Sequence, residues 1–106
     1  MQPAECRTRE DIRREIDSID RQLIALLASR FGYVERMAEI KQDPSEARID
    51  ARVNDVLEKV TSLAGRSGLD VDLIGDLWTR LMDWNIAWEE QAIGSKTPRQ
   101  RPGGDP

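Results

Sequence analysis

The stretch that decides the fold runs from Asp11 to Lys41 and reads DIRREIDSIDRQLIALLASRFGYVERMAEIK. Read every three and four residues, it contains a mostly apolar stripe, which is the pattern of one face of an α-helix. Three cations interrupt this stripe, at Arg13, Arg30 and Lys41. The stretch therefore predicts a long helix that carries positive charge on its apolar face.

Arg30 is flanked by apolar side chains, and a seam that buries apolar groups excludes a guanidinium unless an anion meets it there. Lys41 follows Arg30 by about three helical turns, or roughly 16 Å, so both side chains point the same way and their tips can converge on one small molecule. Two simpler readings stay open from these residues alone. In the first reading, Arg30 forms an ion pair with Asp20 or Glu35. In the second, Lys41 only complements the helix dipole.

Arg13 precedes Arg30 by roughly 25 Å along the same helix, a gap that no small ligand bridges. If Arg13 serves the same site, it must come from a second copy of the chain that runs antiparallel. The helix itself spans about 48 Å, which is too long for the rest of one small chain to cover. Both arguments predict a homodimer with two equivalent sites shared between the chains.

The remaining sequence predicts an all-α chain of three helices, because no segment alternates as a strand does. The expected bounds are Glu10–Gln42 for the first helix, before Asp43-Pro44, residues 49–66 for the second, and a cap at Asp70 or Asp72 through Ile93 for the third. Gly68 and Gly94 are expected to end the second and third helices. We expect a lead-in over residues 1–9, a helical domain over 10–93 and a disordered tail over 94–106.

Composition narrows the function. The chain has 106 residues, a net charge of −4, no histidine and a single cysteine, Cys6. The lone cysteine excludes an internal disulfide and, with no signal-peptide pattern, predicts a cytoplasmic location. No apolar run is long enough to cross a membrane, and an acidic chain without a net basic face is not expected to bind nucleic acid. Cations in an apolar seam point to a small anion instead.

Three further polar residues border the apolar faces of the later helices: Arg52 on the second helix, and Asn85 and Glu89 one turn apart on the third. Together with the first helix they provide cations, an amide and a carboxylate, but no nucleophile, metal-ligand cluster or cofactor motif. An intramolecular pericyclic reaction of a dianion needs only such groups. They hold two carboxylates, fix a compact conformer and stabilise charge on a breaking C–O bond.

The quoted stretch, with its arginines and lysine at those intervals, resembles the first helix of the all-helical chorismate mutase family. The arginine of the second helix, the GLD turn at residues 68–70 and the polar pair on the third helix extend the resemblance over about residues 9–93. The resemblance implies an intertwined homodimer of three-helix chains with two shared sites. It also implies a cofactor-free isomerase that converts chorismate to prephenate in aromatic amino acid biosynthesis.

The same resemblance implies roles for individual residues. Arg13 from the partner chain and Arg30 resemble the carboxylate-binding arginines, and Arg52 resembles the cation of the second helix. Lys41 resembles the lysine that contacts the ether oxygen. The two residues of the third helix complete the set of six: Asn85 stands where a carboxylate-contacting residue is usual, and Glu89 where a Gln or Glu faces the ether oxygen.

Two departures from the family pattern leave the reaction open. Val53 and Ile49 stand where many members carry acids, and this loss resembles the isochorismate-pyruvate lyase branch. Glu89 argues against the lyase, because that branch keeps an amide at its position. We rank chorismate mutase first, isochorismate-pyruvate lyase second and 4-amino-4-deoxychorismate mutase third. The alternative without enzymatic activity is a non-catalytic helical dimer.

Overall fold

The computed structural model describes residues 1–96, so all but the first three residues of the expected disordered tail lie outside the described part. Residues 1–96 form helices and connecting turns without any β-strand, which confirms the all-α prediction with three helices. The helices are α1 (Arg9–Ile40), α2 (Asp50–Arg66) and α3 (Val71–Lys96), and single 3-10 turns cover Pro3–Glu5 and Pro44–Glu46. No helix among these residues combines the length and apolarity that crossing a membrane demands.

A reciprocal cap begins α1. The backbone N–H of Asp11 donates to Thr8 Oγ1 at 3.0 Å, and the Asp11 carboxylate accepts from the backbone N–H of Arg7 at 3.0 Å and of Thr8 at 3.3 Å. The hydrogen bond from the Arg7 backbone is the main cause that lowers the pKa of Asp11 below its ordinary value. The cap places the start of α1 at Arg9, one residue before the predicted start.

The turn between α2 and α3 follows from one glycine and one aspartate. Gly68 has φ +76°, the left-handed region that favours glycine, and the next N–H, of Leu69, returns to the Ala64 carbonyl at 2.9 Å. Asp70 then accepts from the N–H of Leu73 at 2.9 Å and so caps α3. These contacts confirm Gly68 as the residue that ends α2 and select the first of the two predicted caps.

The predicted end of α3 at Ile93 is wrong, because the helix continues through Gly94 to Lys96. A glycine inside a helix costs up to about 1 kcal/mol against alanine. Packing outweighs that cost here, since Ile93 is completely buried in a cluster with Ala38 and Ala47. Small shifts separate the other observed ends from the prediction, with α1 ending at Ile40 and α2 beginning at Asp50.

The described part of the chain divides into two compact units, residues 1–33 and residues 34–96. The first unit carries most of the apolar stripe of α1, and its large side chains are uncovered in the single chain. They are Ile12, Ile16, Ile19, Leu23, Ile24, Leu26 and Leu27, each between 41% and 66% exposed. A continuous apolar surface of this kind marks an interaction site.

In the second unit, α3 packs on α2 and on the 3-10 turn at Pro44–Glu46. Its buried apolar side chains are Ala38, Ala47, Ala64, Met82 and Ile93. Ile49, just before α2, and Leu63, in its last turn, are each about half exposed in the single chain.

Candidate functional site

Lys41 and Glu89 form a largely buried ion pair in the second unit. Lys41 is the first residue after α1, and its Nζ atom lies 2.9 Å from Oε1 of Glu89 on α3. The side chains are only 15% and 9% exposed. The structure therefore brings together the two residues that the sequence assigned to catalysis, which stand 48 positions apart in the chain.

Asn85 precedes Glu89 by one turn of α3, and these two are the buried polar residues in the described part of the chain, at 6% and 7% exposed. Glu89 is satisfied by Lys41. Within residues 1–96, the structure gives the Asn85 amide no hydrogen-bond partner for its side chain. A buried amide without a partner costs about 1–3 kcal/mol, so it calls for an explanation such as a bound ligand.

Arg52 lies on the exposed side of α2, where its guanidinium is 65% exposed and donates to Asp55 at 2.8 Å. Lys59 contacts the same carboxylate oxygen at 2.9 Å. The hydrogen bond from Lys59 is the main cause that lowers the pKa of Asp55; burial opposes it, and Arg52 adds to the lowering. A ligand carboxylate must therefore compete with Asp55 for Arg52. Sequence reasoning missed Asp55, although its spacing from Arg52 is that of a helical ion pair.

The other two predicted arginines belong to the first unit. The Arg13 side chain is 70% exposed and lies 3.7 Å from Glu10, a surface contact worth little. Arg30 is partly buried, and no ion pair or hydrogen bond to its guanidinium occurs among residues 1–96. The structure thus does not supply the Asp20 or Glu35 partner of the simpler reading. That Arg13 and Arg30 join Lys41 around one anion stays a prediction.

The site's chemistry rests on fixed charge and hydrogen bonding. No group of three or more metal-binding side chains comes together anywhere in the described residues. The Lys41 ammonium has three N–H donors, of which Glu89 occupies one. A ligand oxygen beside the pair can therefore accept from Lys41 without breaking the ion pair, while Asn85 offers both a donor and an acceptor.

Comparison with known proteins identifies a family and two relatives. The family model described as chorismate mutase type II matches residues 12–90. An isochorismate pyruvate lyase of Pseudomonas aeruginosa is 34% identical over 87 residues, which is 80% of this chain and 84% of the lyase. A T-protein of Haemophilus influenzae is 36% identical over 89 residues, which is 83% of this chain but only 23% of the T-protein. The chain thus spans about a quarter of that second relative.

A double-mutant cycle measures the coupling energy between Lys41 and Glu89 and so tests the burial of the pair. Lys41→Met leaves the Glu89 carboxylate buried and unpaired, so we expect it to lower the free energy of unfolding by about 3–5 kcal/mol. Adding Glu89→Leu should restore most of that loss, because the buried charge is removed as well. Urea unfolding at one fixed protein concentration measures both effects.

The matched control for this cycle is the exposed pair of Arg48 and Asp83, whose atoms lie 2.7 Å apart with side chains 44% and 59% exposed. Replacing these residues by Met and Leu should give a coupling energy of no more than about 1 kcal/mol. Equal coupling energies in the two cycles would contradict the tight burial of the Lys41–Glu89 pair.

Proposed function

The chain belongs to the chorismate mutase type II family, and we propose that it is a cofactor-free isomerase that rearranges chorismate to prephenate. The observation that carries the proposal is the buried Lys41–Glu89 pair beside the Asn85 amide, which has no partner within residues 1–96. Enzymes of this family act on a small dicarboxylate. A substrate of that kind brings its own reacting bonds, so the protein has to supply only orientation and charge stabilisation.

Lys41 is the proposed electrophilic group. The rearrangement breaks a C–O bond and forms a C–C bond within one molecule, and negative charge grows on the ether oxygen in the transition state. The ammonium keeps Glu89 as its anchor and donates a second N–H to that oxygen. Because the pair is largely removed from water, this hydrogen bond is stronger than its counterpart in solution.

Glu89 has two possible contributions, which depend on its protonation. As a carboxylate it orients the Lys41 ammonium, as it does at 2.9 Å in this structure. As a neutral acid it donates a second hydrogen bond to the ether oxygen. We propose that the neutral acid is the more active form, because only this form adds a donor where charge develops.

The substrate carboxylates are assigned to the remaining polar residues. Arg30 has a guanidinium without an ion-pair partner among residues 1–96, and its fork fits a carboxylate with two parallel hydrogen bonds. Asn85 offers its amide to a second carboxylate. Arg52 joins after exchanging Asp55 for the substrate. Arg13 is proposed to act from the partner chain.

A homodimer follows from the same proposal. The apolar residues of the first unit are about half exposed in the single chain, and an identical helix that runs antiparallel covers them with a matching surface. Such a partner also carries its own Arg13 toward Lys41 and Glu89 of the first chain. The partner chain therefore supplies both the cover for the apolar residues and the shared arginine.

Isochorismate-pyruvate lyase is the second candidate, for two reasons. A relative with that name is matched over 84% of its length, and Val53 and Ile49 replace the acids that many mutases carry. The lyase reaction also breaks a C–O bond in a dianion and gives salicylate and pyruvate. Lys41 would then serve the same oxygen in a different pericyclic reaction.

A product assay decides between the two reactions. The purified protein is mixed separately with chorismate and isochorismate, loss of the diene absorbance is followed, and the products are identified. Prephenate from chorismate supports the mutase, whereas salicylate and pyruvate from isochorismate support the lyase. Lys41→Met should abolish the conversion, and Arg66→Met, which removes an exposed cation that donates to Ser62, should not. No conversion of either substrate would contradict an enzymatic role.

The pH dependence of the reaction tests the role of Glu89. If the neutral acid is the active form, kcat/KM should be greater at acid pH than at neutral pH, because only the neutral acid adds a donor to the ether oxygen. Glu89→Gln should give a flat profile, since an amide donates at every pH. A rise toward acid that persists unchanged in Glu89→Gln would assign the dependence to another group.

Subunit exchange tests the role of Arg13 in the partner chain. Arg13→Ala and Lys41→Ala proteins are each expected to be inactive. Mixed heterodimers should recover activity, because one of their two sites then contains an intact Arg13 and an intact Lys41. Sedimentation and labelled subunits verify dimer formation and exchange. Absence of recovery after confirmed exchange would place Arg13 outside the shared site.

A further inference from the structure

The C-terminus of α1 carries four backbone carbonyls that lack partners within the helix, those of Met37, Ala38, Glu39 and Ile40. The outer two are satisfied by the residues that follow the helix. The N–H of Lys41 donates to the Met37 carbonyl at 2.9 Å, and the side-chain amide of Gln42 donates to the Ile40 carbonyl at 3.2 Å. The two middle carbonyls need another donor.

Lys96 supplies it from the last turn of α3. Its Nζ atom lies 2.7 Å from the Ala38 carbonyl oxygen and 2.6 Å from the Glu39 carbonyl oxygen. The last turn of α1 has no basic residue of its own, so Lys96 also provides the positive charge that a helix C-terminus favours. A residue expected to lie in a disordered tail thus completes the end of α1.

Lys96 lies on the same face of α3 as Ile93 and Glu89, at helical spacings of three and four residues. Each of the three residues contacts a different feature of the α1 terminus. Glu89 binds the Lys41 ammonium, Ile93 packs in the cluster with Ala38, and Lys96 binds the backbone just before Lys41. One face of α3 therefore contacts both the side chain of Lys41 and the backbone of the helical turn that precedes it.

We propose that Lys96 is a positioning residue for Lys41, and this inference rests on the proposed function of Lys41. Lysine has a long flexible side chain, so an ammonium that must meet one substrate oxygen requires a fixed backbone as well as a fixed tip. Lys96 fixes the backbone by holding the last turn of α1 and makes no contact with the substrate itself. A displacement of about 1 Å in a catalytic group costs up to about 100-fold in rate.

The kinetic test uses Lys96→Met, which keeps a long apolar stem and removes the ammonium. We expect kcat to fall about tenfold while KM changes by less than about twofold, because substrate binding depends on other residues. Lys96→Arg should restore most of kcat, since a guanidinium can donate to two adjacent carbonyls. Arg66→Met is the control for loss of one exposed cation and should match the wild type.

A second measurement needs no substrate. Hydrogen exchange at the Lys41 amide reports the last turn of α1, because this amide donates to the Met37 carbonyl. Exchange there should be about tenfold faster in Lys96→Met than in the wild type, and normal in Lys96→Arg. The Leu69 amide, which donates to Ala64 at the end of α2, is the internal reference and should stay unchanged.

The outcomes separate this inference from the function on which it rests. Unchanged kcat and unchanged exchange at Lys41 would overturn it, and a change in KM alone would make Lys96 a substrate-binding residue instead. If the wild type converts neither chorismate nor isochorismate, the proposed function fails. The exchange measurement then decides alone whether Lys96 holds the backbone at Lys41.

Discussion

The ion pair between Lys41 and Glu89 joins the end of α1 to the C-terminal half of α3 and so ties these two helices together. Removing an ammonium and a carboxylate from water is costly, and their attraction roughly offsets that cost only with good geometry. Such a pair is a weak source of stability compared with apolar packing of the same volume. A buried ion pair that adds little stability marks a candidate functional site.

Several local devices keep this pair in place. Asp70 caps α3 and Gly68 allows the tight turn before it, so the register of α3 is set at its N-terminus. At the other end of α3, Ile93 and Lys96 bind the terminus of α1. The ion pair is thus supported by a glycine, a cap, an apolar contact and a lysine, which lie on both sides of Glu89 along the chain.

Arg52 and Arg30 differ in whether an acidic side chain already occupies the guanidinium. Arg52 is held by Asp55, so binding through Arg52 is an exchange of one carboxylate for another and gains little net charge interaction. Arg30 has no such competitor among residues 1–96, and an anion there gains the full charge-assisted hydrogen bonds. In the proposed site, Arg30 therefore contributes more to affinity than Arg52, whose exposed pair mainly governs how the substrate approaches.

Sequence by itself determined the helical class and the turn at Gly68, because helical periodicity and turn chemistry are local properties. It also predicted that Lys41 and Glu89 belong together, through a resemblance in spacing. Tertiary structure alone decided that Asn85 is buried without a partner among residues 1–96, that Asp55 holds Arg52, and that α3 passes Gly94 to reach Lys96. Those outcomes depend on which side chains approach across the packed helices, and the burial of Ile93 outweighs the local preference of a glycine to end a helix.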